Sequence, residues 1–289
     1  MSDRSSDSPG AGKRRTALVT GSSSGIGAAF ARKLASQGYD LVLVARREDR
    51  LTALATDLRQ QHSVRVETLV ADLSDTGDIQ LVEGKIIEFS PLDMLINNAG
   101  FGLGGGVFAK ADLAKHLNMI QVHVVASVRL TRAALPAMIA NHYGAIVNLS
   151  STAAFLPWRG DPTYSATKAY LVMFSQVLHT QLLGTGVKIQ ALCPGYTYTE
   201  FHDTSEMRGF DRSKIPRSLW MSPEEVVAES FKALERGKVV CIPGFRNRLI
   251  VGLARNSLTS PLIQLAAKRT IGQATRARVA PSLNIGQGH

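Results

Sequence analysis

The sequence predicts a doubly wound α/β domain, a parallel sheet with helices on both faces. Three observations lead there. Short apolar runs alternate with longer amphipathic stretches from Thr16 to Cys193, and strands alternating with helices build right-handed βαβ units. A glycine-rich turn joins the first run to the first amphipathic stretch. The 289 residues, 45% of them hydrophobic and 19% charged, supply one large core without an internal linker or a short repeat.

In chain order, Thr16–Thr20 reads as a buried strand and Ile26–Gln37 as a helix. Strands at Asp40–Ala45 and Val64–Val70 are separated by a helix over Arg47–Gln61, and a helix over Thr76–Phe89 follows. Met94–Asn97 is a fourth strand, after which one long helical pattern covers Asp112–Asn141. Ala145–Leu149, a helix over Tyr164–Leu183 and a strand over Lys188–Cys193 complete the regular part. Gly195–Met221 is irregular and aromatic; a helix over Pro223–Gly237 and a last strand at Val239–Ile242 come after it. Segment 1–13, polar and rich in Ser and Asp, reads as a disordered leader with no apolar stretch of the secretory kind. The domain occupies 14–245, and 246–289 is a basic, amphipathic extension.

The net charge is +10, partly clustered in Lys13-Arg14-Arg15 and in Lys268, Arg269, Arg276 and Arg278. No nucleic-acid-binding signature accompanies it, so nucleic acid is not expected as a partner. Cys193 and Cys241 cannot form a disulfide framework, and no metal-ligand spacing links them to histidines. No run approaches the roughly 20 apolar residues of a membrane span. These features suit a cytoplasmic protein. The extension, with Leu249, Ile250, Leu253, Leu258, Leu262, Ile263 and Leu265 among basic residues, packs on the domain or a partner subunit, or lies on an anionic membrane surface; packing is the favoured reading.

The turn is Thr20-Gly-Ser-Ser-Ser-Gly-Ile-Gly27. Gly21 permits a tight turn, Gly25 lets backbone approach a pyrophosphate, and Gly27 lets the helix pack on the sheet. Free N–H groups of the helix start then face the phosphates. The order of motifs from this turn onward resembles the short-chain dehydrogenase/reductase family, over about Arg14 to Gly244. They are the Thr-Gly-x-x-x-Gly-x-Gly turn, Asp72-Leu73, Asn97-Asn98-Ala99-Gly100, Ser151, Tyr164-x-x-x-Lys168 and Pro194-Gly195. The resemblance implies a Rossmann-type nucleotide fold, oxidoreductase chemistry and a homodimer or homotetramer. It also implies a nicotinamide cofactor held by Gly21, Ser22, Ser23, Ser24, Gly25, Ile26 and Gly27, with Asp72 at the adenine, Leu73 and Ala99 beside it, and Asn98 near the ribose. Gly100 borders the site, and Pro194, Gly195 and Thr199 sit by the nicotinamide.

A carboxylate at the end of the second strand would accept hydrogen bonds from the ribose hydroxyls and favour NAD. The sequence has Ala45-Arg46-Arg47 there, and Asp40 is at the opposite end of that strand. A guanidinium matches a phosphate with parallel donors. Arg46, with help from Arg47 or Ser22, is therefore assigned to the 2′-phosphate of NADP(H); a solvated basic loop is the alternative.

Carbonyl reduction needs a hydride at carbon and a proton at oxygen. Tyr164 and Lys168 stand at i and i+4 and share a helix face. An ammonium there is expected to lower the phenol, ordinarily near pKa 10, and to hold the nicotinamide ribose. Tyr-x-x-x-Lys alone is close to chance. Ser151, thirteen residues upstream and just after a strand, adds a hydroxyl for the substrate oxygen at the ligand-binding end of the sheet. Ser150 is its neighbour, and the family spacing selects Ser151. One position departs from the family: His123 stands in the long helix where an asparagine usually holds a proton-relay water. Imidazole can hold that water; a packed helix residue is the alternative. Phe101, Leu103, Phe155, Trp158, Tyr196, Tyr198 and Phe201 suit an apolar or lipid-like carbonyl or alcohol, or close a core. The expected function is an NADP(H)-dependent oxidoreductase interconverting a carbonyl and a secondary alcohol; the rival is an idle NADP-binding scaffold.

Overall fold

The computed structural model describes residues 14–105, 107–156, 161–207 and 210–256. Leader 1–13, Trp158 and the extension from residue 257 onward, with Leu258, Leu262, Ile263, Leu265 and its basic cluster, lie outside the described residues.

Strands β1 (Thr16–Thr20), β2 (Asp40–Ala45) and β3 (Val66–Val70) alternate with α1 (Gly25–Ser36), α2 (Glu48–His62) and α3 (Thr76–Glu88). β4 (Met94–Asn97) leads to α4 (Leu113–Ile120) and α5 (Ala126–Ala140), which a wide π turn at Gln121–Val125 joins into one run. β5 (Gly144–Leu149), α6 (Pro162–Gln181) and β6 (Val187–Leu192) follow. Two-residue strands β7 (Tyr196–Thr197) and β8 (Trp220–Met221) pair with each other, and α7 (Pro223–Glu235), β9 (Val240–Cys241) and α8 (Phe245–Arg255) close the described chain.

Seven strands form one parallel sheet in the order β3-β2-β1-β4-β5-β6-β9. Alternate residues feed two cores, as a pleated sheet buried on both faces requires. Ala17, Val19, Leu41 and Leu43 pack with Phe30, Leu34, Leu51 and Leu58 of α1 and α2. Leu18, Val42, Leu95 and Ile146 pack with Ile79, Val82, Leu130 and Met138 of α3 and α5. The strand order reverses between β1 and β4, so a crevice opens at their carboxyl ends.

The boundary read at 245/246 moves, because α8 begins at Phe245 and buries Asn247, Val251 and Ala254 against the domain. Contrary to the expectation that no run is long enough, Leu113–Ala140 is long and apolar enough to cross a bilayer by length and composition. Met119, Ala126, Leu130, Ala134 and Met138 of that run are nevertheless buried inside the protein. Helix α6 starts at Pro162 because Asp161 caps it, accepting from the Thr163 N–H at 2.7 Å and the Tyr164 N–H at 3.3 Å.

Candidate active site

A cavity of about 810 Å³ opens at the switch point. One end is walled by Gly21, Ser23, Ser24, Gly25 and Ile26 of the β1–α1 turn, by Arg46 and Arg47, and by Asp72 and Leu73. Asn98, Ala99 and Gly100 line the middle, and Ser151, Tyr164, Lys168, Pro194, Gly195 and Thr199 line the far end.

Thr20 and Asn98 build the turn. The Thr20 hydroxyl donates to Ile96 O and accepts from the N–H groups of Asn98 and Ala99 at 2.9 and 3.1 Å. The Asn98 amide donates to Thr20 O and Gly21 O at 2.8 and 3.0 Å. Gly25 has φ +57°, and a Cβ there would lie 2.9 Å from the Thr199 methyl, so both backbone conformation and space require glycine. Gly27 backs onto this turn: a Cβ would lie 2.3 Å from Gly21 O.

The serine assigned beside the arginines needs correction. Ser22 is fully buried, and its hydroxyl donates inward to Val44 O at 3.3 Å. Ser23 and Ser24 face the cavity instead, and their hydroxyls accept from Arg47 at 3.1 and 2.9 Å. Arg46 pairs with Asp72 at 3.6 Å. Partial burial works against the Asp72 charge, but Ser74 and Arg46 outweigh it and hold the carboxyl below its ordinary value. Sequence reasoning missed Glu200, which pairs with Arg47 at 2.8 Å and also with Arg50. This contact ties the segment after β7 to the end of β2. No spacing rule connects residues 153 apart in the chain.

At the far end, Ser150 is buried and its hydroxyl donates to Lys168 O at 2.7 Å. That commits Ser150 to structure and leaves Ser151 on the cavity wall beside Tyr164. Burial raises the Tyr164 phenol to about 12, partly opposed by its hydrogen bond with Ser151. The Lys168 ammonium donates to Leu149 O at 2.9 Å and lies 5.6 Å from the Tyr164 ring centroid. Burial brings it down to about 7. In this arrangement burial is the larger influence on the Tyr164 phenol and the Ser151 hydrogen bond the opposing one.

The relay expected of His123 is corrected as well. The ring is fully buried. Its Nε2 accepts from the Phe101 N–H at 3.0 Å, and its Nδ1 meets the Thr167 hydroxyl at 3.0 Å. A neutral imidazole has one donor and one in-plane acceptor, and both are taken by protein, so none remains for a water.

Of the apolar and aromatic residues expected at the substrate, Phe101, Leu103, Tyr196 and Phe201 line the cavity, joined by Met207 and Phe210. Tyr198 and Phe155 do not. Tyr198 stacks on Trp220 at 4.8 Å between ring centroids, and the Arg255 guanidinium covers Phe155 at 5.4 Å.

The chain is similar to known proteins in sequence and in fold. The family model described as short chain dehydrogenase matches residues 15–208. Sulfoacetaldehyde reductase 2 of Chromohalobacter salexigens is 41% identical over 186 residues, covering 64% of this chain and 73% of that protein. Two solved structures match along nearly their whole length. The short-chain dehydrogenase from Sphingobium yanoikuyae in complex with NADPH has a TM-score of 0.75 and 32% identity, covering 95% of this chain and 99% of that one. The bulky-bulky ketone specific alcohol dehydrogenase from Comamonas testosteroni has a TM-score of 0.70 and 29% identity, covering 95% and 96%.

Proposed function

The chain belongs to the short-chain dehydrogenase family, and from that premise we propose that it is an NADP(H)-dependent oxidoreductase interconverting a bulky, apolar carbonyl and its secondary alcohol. One observation carries the reading: Ser151, Tyr164 and Lys168 share one wall of a cavity whose opposite end is the glycine turn with Arg46 and Arg47.

The residues fit the cofactor. Gly21 and Gly25 line the cavity at the start of α1, where a helix N-terminus can hold a pyrophosphate. Arg46, Arg47, Ser23 and Ser24 present donors where a 2′-phosphate would sit. The NADPH bound to the Sphingobium relative supports the same assignment. Bound NADP(H) supplies or accepts the hydride. Tyr164 holds its proton at neutral pH, since burial keeps the phenol near 12, and gives it to the carbonyl oxygen as charge develops there. The Ser151 hydroxyl donates a hydrogen bond to the same oxygen. Lys168, anchored by Leu149 O, reaches from the next turn of α6 toward the ribose side of the cavity. Phe101, Leu103, Phe201 and Met207 exclude water and favour a large apolar substituent. The ketone named for the Comamonas relative supports that substrate class. Exposed Leu113, Leu117, Tyr170 and Met173 on α4 and α6 support the assembly as a homodimer or homotetramer.

A carbonyl screen followed by nicotinamide absorbance, with Tyr164→Phe as control, tests this. The variant should bind NADPH as the wild type does and lose at least about a hundredfold in kcat. Full turnover in Tyr164→Phe would refute the assignment.

A further inference from the structure

We infer that His123 is a positioning residue, a crosspiece that holds the Gly100–Phe101 backbone against the helix carrying Tyr164. The inference rests on the proposed carbonyl chemistry for its kinetic consequences, and on geometry alone for its structural content.

The hydrogen bonds around the ring run in one direction only. The Thr167 hydroxyl donates to Tyr164 O at 2.8 Å, so the Thr167 oxygen presents lone pairs to His123, and Nδ1 must carry the ring proton. Nε2 is then bare, as it must be to accept from the Phe101 N–H. The polarity is Nδ1–H to Thr167, and Thr167 to the backbone of Tyr164. The His123 carbonyl is itself held by the Ser127 hydroxyl at 2.8 Å, on the π turn Gln121–Val125. Ring packing continues the line: Phe101 meets His123 edge-on at 5.7 Å, and His123 meets Tyr164 edge-on at 5.8 Å.

A charged imidazole would have a proton on both nitrogens and nothing to accept from Phe101. Burial, and then the neighbouring Lys168 ammonium, hold the His123 pKa well below its ordinary value. A Cβ placed on Gly100 would lie 2.8 Å from His123 Nε2 and 3.4 Å from Lys168 Nζ, which places the charge that disfavours protonation close to the ring.

Two measurements on the full chain decide the matter. The first is a long-range proton–nitrogen spectrum of the imidazoles in the wild type, with His123 assigned as the signal missing in His123→Gln. The proposal expects one neutral tautomer, Nδ1 protonated and Nε2 bare, unchanged from about pH 5 to about pH 9. Titration within that window, or a proton on Nε2, would overturn it.

The second is kinetic. A glutamine Oε1 can take the place of Nε2 and accept from Phe101, while leucine leaves that N–H buried and unpaired. His123→Gln should keep kcat/KM within about threefold of wild type, and His123→Leu should lose about tenfold or more. Both should keep the shape of the wild-type pH profile. Equal losses in the two variants, or a pH limb that disappears in His123→Leu, would overturn the proposal in favour of packing or a relay. If the wild type reduces no carbonyl at all, the functional reading fails, and the nitrogen spectrum still decides the role of the ring.

Discussion

Replacing Lys168 with methionine removes an ammonium while keeping a long side chain, and its consequence for stability follows from the site. Lys168 is 3% exposed, and burial lowers its pKa from 10.5 to about 7, with Cys193 pulling upward. Below pH 7 the ammonium is charged in the folded and the unfolded chain alike, so the folded state carries the whole cost of burying it. As the pH rises toward the unfolded value, the folded chain has released the proton while the unfolded chain still binds it. Stability therefore rises with pH over this window. With these two values the gain between about pH 7 and about pH 9.5 is about 3 kcal/mol. Urea unfolding of wild type and Lys168→Met at both pH values measures it. The wild type should gain about 3 kcal/mol more than the variant over the interval, other titrating groups being common to both. Parallel pH dependences in the two proteins would refute the reasoning, because they would mean that the buried amine does not change its proton occupancy on folding.

Two further outcomes concern the other end of the cavity. Arg46→Ala should weaken NADPH binding by about ten- to a hundredfold and leave NADH within about threefold, as a lost charge-assisted contact to phosphate requires; fluorescence titration with both nucleotides checks it. An unchanged NADPH to NADH ratio would place the phosphate elsewhere. Gly25→Ala should lower stability by about 1–2 kcal/mol and weaken NADPH as well, because the new methyl meets Thr199 at a positive φ; unaltered thermal unfolding and affinity would contradict the tight turn.

The sheet was legible because its strands are buried on both faces. Strands Thr16–Thr20, Asp40–Ala45 and Met94–Asn97 are built on the apolar runs Ala17–Val19, Leu41–Ala45 and Met94–Ile96, and their observed bounds coincide with the expected ones. Helix α6 was read two residues late. Asp161-Pro162 was the available signal, since a capping carboxylate followed by proline marks a helix start. The π turn was not legible, because one extra residue in a turn leaves an apolar pattern almost unchanged. Ser22 shows a different limit. Residues 22, 23 and 24 are all serine, and which of them faces the cavity depends on the path of the backbone through the turn. The contact of Glu200 with Arg47 joins segments far apart in the chain, and local pattern carries no information about it.

The charge states of the site follow the same division. Residue types named Tyr164, Lys168 and Ser151, but the sign of each shift depends on which effect wins in three dimensions. A phenol's pKa falls below its ordinary value only where the attraction of nearby positive charge exceeds the cost of burying the phenolate. Here Lys168 is drawn to Leu149 O, burial prevails, and Tyr164 stays protonated. The wall facing the substrate thus carries a phenol that keeps its proton at neutral pH, an amine near 7 and a hydroxyl. A buried pocket tolerates such a set because none of the three must hold a full charge at neutral pH. In the proposed reaction, a phenol that keeps its proton can donate it to a carbonyl oxygen.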